Sequence, residues 1–299
     1  DIGGKKAIAW VKAQNQRTLA ELGKKKEYRG LFARLQGILD AKERIPFPGF
    51  RGGMVYNFWT DEVHERGILR RTSLASYRTP APVWETVLDI DAMAKADGVP
   101  WVYKGSNCLG PEDRLCLVSL SRGGADAAEQ REFDSASKTF VEGGFFLPEA
   151  KSMAAWKDAD TLWIATDFGE GSLTSSGYPR IVKEWRRGTP LASARTVFEG
   201  RVEDVGAWPL AVETPEGRFM LVTRLPRFYL ADTFLGLGDR LVRLPIPEDA
   251  DFKGIFRDRV LFALRTDWKP GETTYPGGAL LSVDLDDLLQ GRPLCDVLF

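Results

Sequence analysis

A mainly β fold, a propeller of four-stranded blades preceded by two N-terminal α-helices, is predicted by three features of this sequence. The first is a recurring strand-turn-strand phrase. Trp156 to Phe168 reads W-K-D-A-D-T-L-W-I-A-T-D-F, in which Asp158 and Asp160 are turn formers and Leu162 to Ala165 is an apolar run rich in strand-favouring residues. One hundred residues later, Phe256 to Trp268 repeats the layout as F-R-D-R-V-L-F-A-L-R-T-D-W. Pro111 to Val118 matches Pro215 to Val222 in the same way, and Arg51 to Trp59 is a fifth, weaker copy. Copies spaced roughly 40 to 60 residues apart indicate repeated blades. The second feature is a shared closing phrase, Phe140-Val141-Glu142-Gly143 and Val197-Phe198-Glu199-Gly200. The third is that helical periodicity is confined almost entirely to the first 45 residues.

There, Ile8, Val11, Leu19 and Leu22 fall near one helical face, and Tyr28, Leu31, Phe32, Leu35, Ile38 and Leu39 form a stripe on a second helix. Gly23 and the three following lysines end the first helix. Ile45-Pro46-Phe47-Pro48-Gly49 stops helix, which predicts a helical segment over 1–45 and a propeller over 46–299. Met54 to Trp59 then pairs with Ile68 to Leu74 around a polar loop, and Leu88 to Asp97, closed by Gly98, reads as a short helix between blades. Residues 101–144, 145–200 and 201–247 give three blades, and 252–299 gives a fifth, cut short.

The chain has 299 residues, 43% hydrophobic and 28% charged, the composition of an ordinary globular protein. Its 41 basic and 42 acidic side chains nearly cancel, which argues against a nucleic-acid binder driven by counterion release. The balance is uneven along the chain, with a net charge of +6 over residues 1–44 and −7 over the rest. No apolar run approaches the roughly 20 residues of a membrane span, so no membrane partner is expected. Three cysteines, Cys108, Cys116 and Cys295, lack metal-site spacing and are expected as buried or unpaired thiols, which fits a reducing, cytoplasmic setting. The chain starts at Asp1 rather than Met, which leaves room for a removed leader and a periplasmic alternative.

Few motifs carry chemistry. There is no G-x-S-x-G, and the one histidine, His64, lies in the polar loop Asp61 to Arg66, where a surface role is expected. Gly236-Leu237-Gly238 lacks the third glycine of a dinucleotide site and reads as a turn. The acidic runs Asp284 to Asp287 and Glu248 to Asp251 lack EF-hand spacing. No cofactor or metal is expected. Asp61, Asp167 and Asp267 each follow a threonine at a strand end. They are expected to cap turns, or alternatively to ring a channel mouth as the acid and base of a carbohydrate-active propeller.

Ala9 to Leu22 (A-W-V-K-A-Q-N-Q-R-T-L-A-E-L), the Tyr56 to Trp59 strand with Gly67 to Leu74, and Trp84 to Met93 (W-E-T-V-L-D-I-D-A-M) resemble the N-terminal part of the prolyl oligopeptidase family of serine peptidases. The resemblance implies that the helices pack on a C-terminal α/β-hydrolase domain and that a seven-bladed propeller, of which about five blades are present, restricts the active site to short peptides. It implies no catalytic residue in this chain. It places the segment Leu147 to Lys151 near the substrate, with Glu149 and Lys151 as candidate binding residues; where the family can carry an apolar aromatic, Lys151 would favour acidic peptides. With blades missing, an open arc that exposes apolar faces and self-associates is expected. The alternative is a self-contained small propeller that binds carbohydrate or protein.

Overall fold

The computed structural model describes residues 4–41 and 47–299. The expected boundary between residues 45 and 46 lies outside the described residues; the chain separates into one unit ending at Phe47 and another beginning at Pro48. In the first, α1 (Lys5–Leu22) ends at Gly23, whose N–H donates to the Leu19 carbonyl at 3.0 Å, and α2 (Lys26–Leu39) follows. Neither helix buries a residue, and the α2 stripe is exposed along its length, from Tyr28 to Leu39 at 71%.

The second unit is built from antiparallel sheets in chain order. The first sheet holds β1 (Gly49–Arg51), β2 (Met54–Trp59), β3 (Ile68–Ser73) and β4 (Glu85–Asp89), with α3 (Leu74–Tyr77) before β4 and α4 (Ile90–Asp97) after it. The second holds β5 (Trp101–Cys108), β6 (Leu115–Arg122), β7 (Ala128–Asp134) and β8 (Thr139–Phe140). The third holds β10 (Met153–Asp158), β11 (Thr161–Ala165), β12 (Ile181–Arg186) and β13 (Arg195–Glu199). The fourth holds β14 (Gly206–Thr214), β15 (Gly217–Arg227), β16 (Leu230–Leu237) and β17 (Arg240–Arg243). The fifth holds β18 (Asp251–Phe256), β19 (Arg259–Ala263), β20 (Leu280–Asp284) and β21 (Asp296–Val297), with α5 (Leu285–Leu289) between the last two. All five copies of the sequence phrase are the same structural piece, the hairpin joining first and second strands. Both closing phrases include residues of a fourth strand, Phe140 in β8 and Val197 to Glu199 in β13.

Three expectations about elements change. The helix expected from Leu88 begins at Ile90, because Leu88 and Asp89 pair with Leu69 and Ile68 in β4; the Asp89 carboxylate then caps α4 by accepting from Ala92 N–H. Residues expected to open the third blade form β9 (Phe146–Ala150) instead, which shares the outer edge of β7 with β8. The fifth blade is complete in strand number rather than cut short, closed by the two-residue β21 against β20.

Packing explains the apolar runs. Leu162 and Ile164 face the second sheet with Phe145, Leu147 and Trp156, whereas Trp163 and Ala165 face the fourth with Ala207, Met220 and Val222. An inner sheet thus buries both faces, so its central strand needs apolar residues at every position rather than at alternate ones. Similar clusters join the first sheet to the second through Tyr56, Trp101 and Val118, and the fourth to the fifth through Leu221, Leu235 and Phe262. Among the described residues no cluster joins the fifth sheet to the first. Close approach also accounts for both glycines of Gly236-Leu237-Gly238. A Cβ on Gly236 would meet the Trp163 ring at 2.9 Å, and Gly238 takes a φ of 61° in the β16–β17 turn.

Polar ties cross the same interfaces. Glu132 in β7, 1% exposed, accepts two 2.8 Å bonds from the Arg187 guanidinium beyond β12 and a third, at 2.7 Å, from Phe145 N–H. These bonds raise the Arg187 pKa, outweighing burial. Arg218 in β15 donates to the Trp156 and Gly110 carbonyls, both at 2.9 Å, and so ties three sheets together. Within the third sheet, burial opposes ionisation of Glu184, but donors from Lys157, Trp163 and Arg195 prevail and hold its pKa at about 2.

Arg187→Ala strands a buried carboxylate and is expected to cost roughly 3 kcal/mol in urea denaturation; adding Glu132→Gln should recover part of that loss by removing the charge. Because the folded pKa of Glu184 is depressed from 4.5 to about 2, its contribution is present above pH 4.5 and lost as pH falls towards 2. Glu184→Gln should therefore flatten the acid limb of the stability profile in that window, measured by thermal melts.

Candidate functional site

The first strands β5, β10 and β14 neighbour one another, so their starting ends bring three sheets together. A cleft of about 450 Å³ opens there. Lys104 of β5, Met153 at the start of β10 and Trp208 of β14 line it, together with Lys151 in the β9–β10 connection and Tyr178 from the long loop after β11.

Each lining residue is fixed by local structure. The segment carrying Lys151 is held by Gln130 Nε2 donating to the Ser152 carbonyl at 3.2 Å and by a 2.6 Å hydroxyl contact between Ser152 and Thr166. Tyr178 sits in a tight loop in which Thr174 N–H donates to the Tyr178 carbonyl and Tyr178 N–H donates to Thr174 Oγ1. Trp208 can lie back over its own strand because residue 206 is glycine; a Cβ there would meet the indole at 2.7 Å. The two rings meet edge to face, 6.3 Å apart. Lys151 Nζ stands 4.2 Å from the Tyr178 ring centroid and 3.9 Å from a carboxylate oxygen of Asp126, whose side chain is 81% exposed.

Of the two sequence-predicted binding residues, Lys151 lines this cleft. Glu149 does not; its carboxylate accepts from Arg122 Nε at 3.1 Å, in a group that includes Glu129 and Trp101. Lys104, Tyr178 and Trp208 are not legible as site residues in the sequence. The one available signal is Gly206, two residues before Trp208 at the start of β14.

The three Thr-Asp carboxylates occupy equivalent places, each just after a second strand, and each serves a turn. Asp61 accepts from Val63 N–H, His64 N–H and Trp59 Nε1 at 2.7–2.9 Å, and the His64 backbone bond is the main cause of a pKa lowered to about 2. His64 Nδ1 also lies 2.9 Å from Asp61. Asp167 caps Gly169 and Ser172, and Asp267 caps Gly277. An acid and base pair for glycoside chemistry is not favoured, since these carboxylates are spent on local hydrogen bonds. Asp284 likewise caps α5.

The cysteines require a correction. Cys108 and Cys116 are directly opposed in the β5–β6 ladder, with Cα atoms 3.9 Å apart, and form a disulfide. The sequence spacing hid this because the intervening turn returns the chain on itself. The thiol-based argument for a reducing compartment therefore lapses. Cys295 is free and buried, its pKa pushed up to about 11 by burial. Among the described residues no helix is long and apolar enough to cross a membrane.

Lys151 is a partly exposed side chain with a cation-π contact and a loose ion pair, so Lys151→Ala is expected to cost no more than about 1 kcal/mol in urea denaturation. A larger loss would show that Lys151 holds the fold rather than lining a site.

Comparison with known proteins agrees with this architecture. The chain is 38% identical over 293 residues to an uncharacterized peptidase, y4nA, of Sinorhizobium fredii, covering 95% of this chain and 40% of that protein. It is 30% identical over 307 residues to an uncharacterized peptidase, RP174, of Rickettsia prowazekii, covering 98% and 42%. A post-proline cleaving enzyme from Rickettsia typhi superposes with a TM-score of 0.89 at 28% identity, over 100% of this chain and 46% of that one. The chain thus spans about two fifths of the length of the curated relatives it matches. Residues 1–224 match the family model of the prolyl oligopeptidase N-terminal β-propeller domain, and with five antiparallel sheets among the described residues, four of four strands and one of five, carrying the same first hairpin, the chain belongs to the prolyl oligopeptidase family through that domain.

Proposed function

We propose that this chain is the non-catalytic propeller and helical portion of a serine-type prolyl oligopeptidase, and that it gates the access of short peptides to a C-terminal α/β-hydrolase domain. The observation that carries the reading is the family match over residues 1–224, joined to a cleft at the end where the first strands converge. Two further features support it. The α1 and α2 helices bury nothing of their own, and Trp10, Leu31, Phe32 and Leu39 are 58–71% exposed, which suits a partner surface in the hydrolase portion. The chain also lacks a G-x-S-x-G elbow, and its one histidine is engaged with Asp61. Lys151, with Ala150 before it, forms part of the substrate wall, whereas Glu149 is engaged with Arg122 outside the cleft. Without the hydrolase portion, the exposed stripe favours self-association.

The chain alone should not turn over a chromogenic prolyl substrate, and turnover that a serine-directed phosphonate blocks would overturn this. The same preparation should sediment as dimers or larger species at high micromolar concentration. For the complete protein, cleavage of short Pro-containing peptides but not of folded proteins with the same sites is the expected result; equal rates on both would refute gating.

A further inference from the structure

We infer that the cleft bounded by Lys104 and Lys151 is a receptor for a peptide carboxylate, with Tyr178, Trp208 and Met153 as the apolar surface beside it. The inference deepens the reading of this end as the peptide-facing one and rests on it. Lys104 and Lys151 come from different elements, β5 and the β9–β10 connection, and both line the same cleft. Lys104 has no ion-pair partner among the described residues. Lys151 has only Asp126, at 3.9 Å and 81% exposed, so that carboxylate is hydrated and weakly bound. The cleft is therefore lined by two lysines against one solvated carboxylate, Asp126, on a body whose net charge outside residues 1–44 is −7. Local positive charge in an acidic surround focuses an anion to one place.

The apolar side selects among anions. Met153 is 47% exposed, and the Tyr178–Trp208 pair offers ring surface against which a side chain can lie. A carboxylate attached to an apolar peptide satisfies both halves, whereas inorganic anions use only the lysines. A volume of about 450 Å³ suits a few peptide residues. The carboxylate can belong to the peptide C-terminus or to an acidic side chain, and the chemistry at the lysines is the same.

The test is calorimetric titration of the 299-residue chain with four N-acetylated apolar tetrapeptides. One is a C-terminal acid and one its amide; the other two are amides with a central Glu or Gln. The acid or the Glu peptide is expected to bind about tenfold tighter than its neutral counterpart, with the advantage shrinking at high salt. Whichever pair shows the difference identifies the source of the carboxylate. Lys104→Gln and Lys151→Gln should each reduce the discrimination, and Lys104→Arg should retain it. Equal binding of acidic and neutral peptides overturns the carboxylate inference but leaves the peptide-facing reading standing. Absence of binding by all four overturns both. Discrimination unchanged in the Lys104→Gln/Lys151→Gln protein also overturns the inference, because the charge would then be read elsewhere.

Discussion

The structure depends on face-to-face packing of successive sheets. Each of the three inner sheets must present apolar surface on both sides, and the alternation of side chains along a strand makes this possible: Leu162 and Ile164 serve one neighbour, Trp163 and Ala165 the other. Burial of this kind favours stacking but is not directional. Orientation comes from polar groups placed at the same interfaces. The Glu132–Arg187 pair and the three-sheet reach of Arg218 fix which residues meet, since a one-residue slip would strand a buried carboxylate or break bonds to backbone carbonyls. Trp156 has both roles. Its ring packs against Phe145, 5.7 Å away, while its indole N–H donates to the Asn107 carbonyl.

The candidate site follows from that packing. Because the first strands of consecutive sheets run beside one another, residues about fifty positions apart in the chain, Lys104, Met153 and Trp208, meet at their starting ends. The hairpin ends are stitched by Asn107, Trp156 and Arg218 and carry the Cys108–Cys116 disulfide. Among the described residues the starting ends lack such stitching between Lys104 and Trp208, and the cleft opens there. Rigid strands thus carry the lining groups, and the loop bearing Tyr178 is braced by its own hydrogen bonds.

Apparent chemistry in the sequence resolves into two kinds. Asp61, Asp167, Asp267 and Asp284 are turn and helix caps, which any chain of many short strands requires in quantity. Lys151 is different, because a tethered lysine over an aromatic ring closes no turn and caps no helix.

Local sequence was sufficient to determine the repeat, the five first hairpins, the two helices and the absence of a nucleophile elbow. Each of these is written in contiguous residues, as a turn former between apolar runs or a helical stripe. The membership of β9 in the second sheet, the start of α4 at Ile90 and the Cys108–Cys116 pairing were decided by tertiary structure. Strand pairing is set by partners that local propensity does not name. The same holds for the cleft: the family resemblance pointed to Lys151, but its companions Lys104, Tyr178 and Trp208 come from three separate segments, and only the stacking of the sheets brings them together.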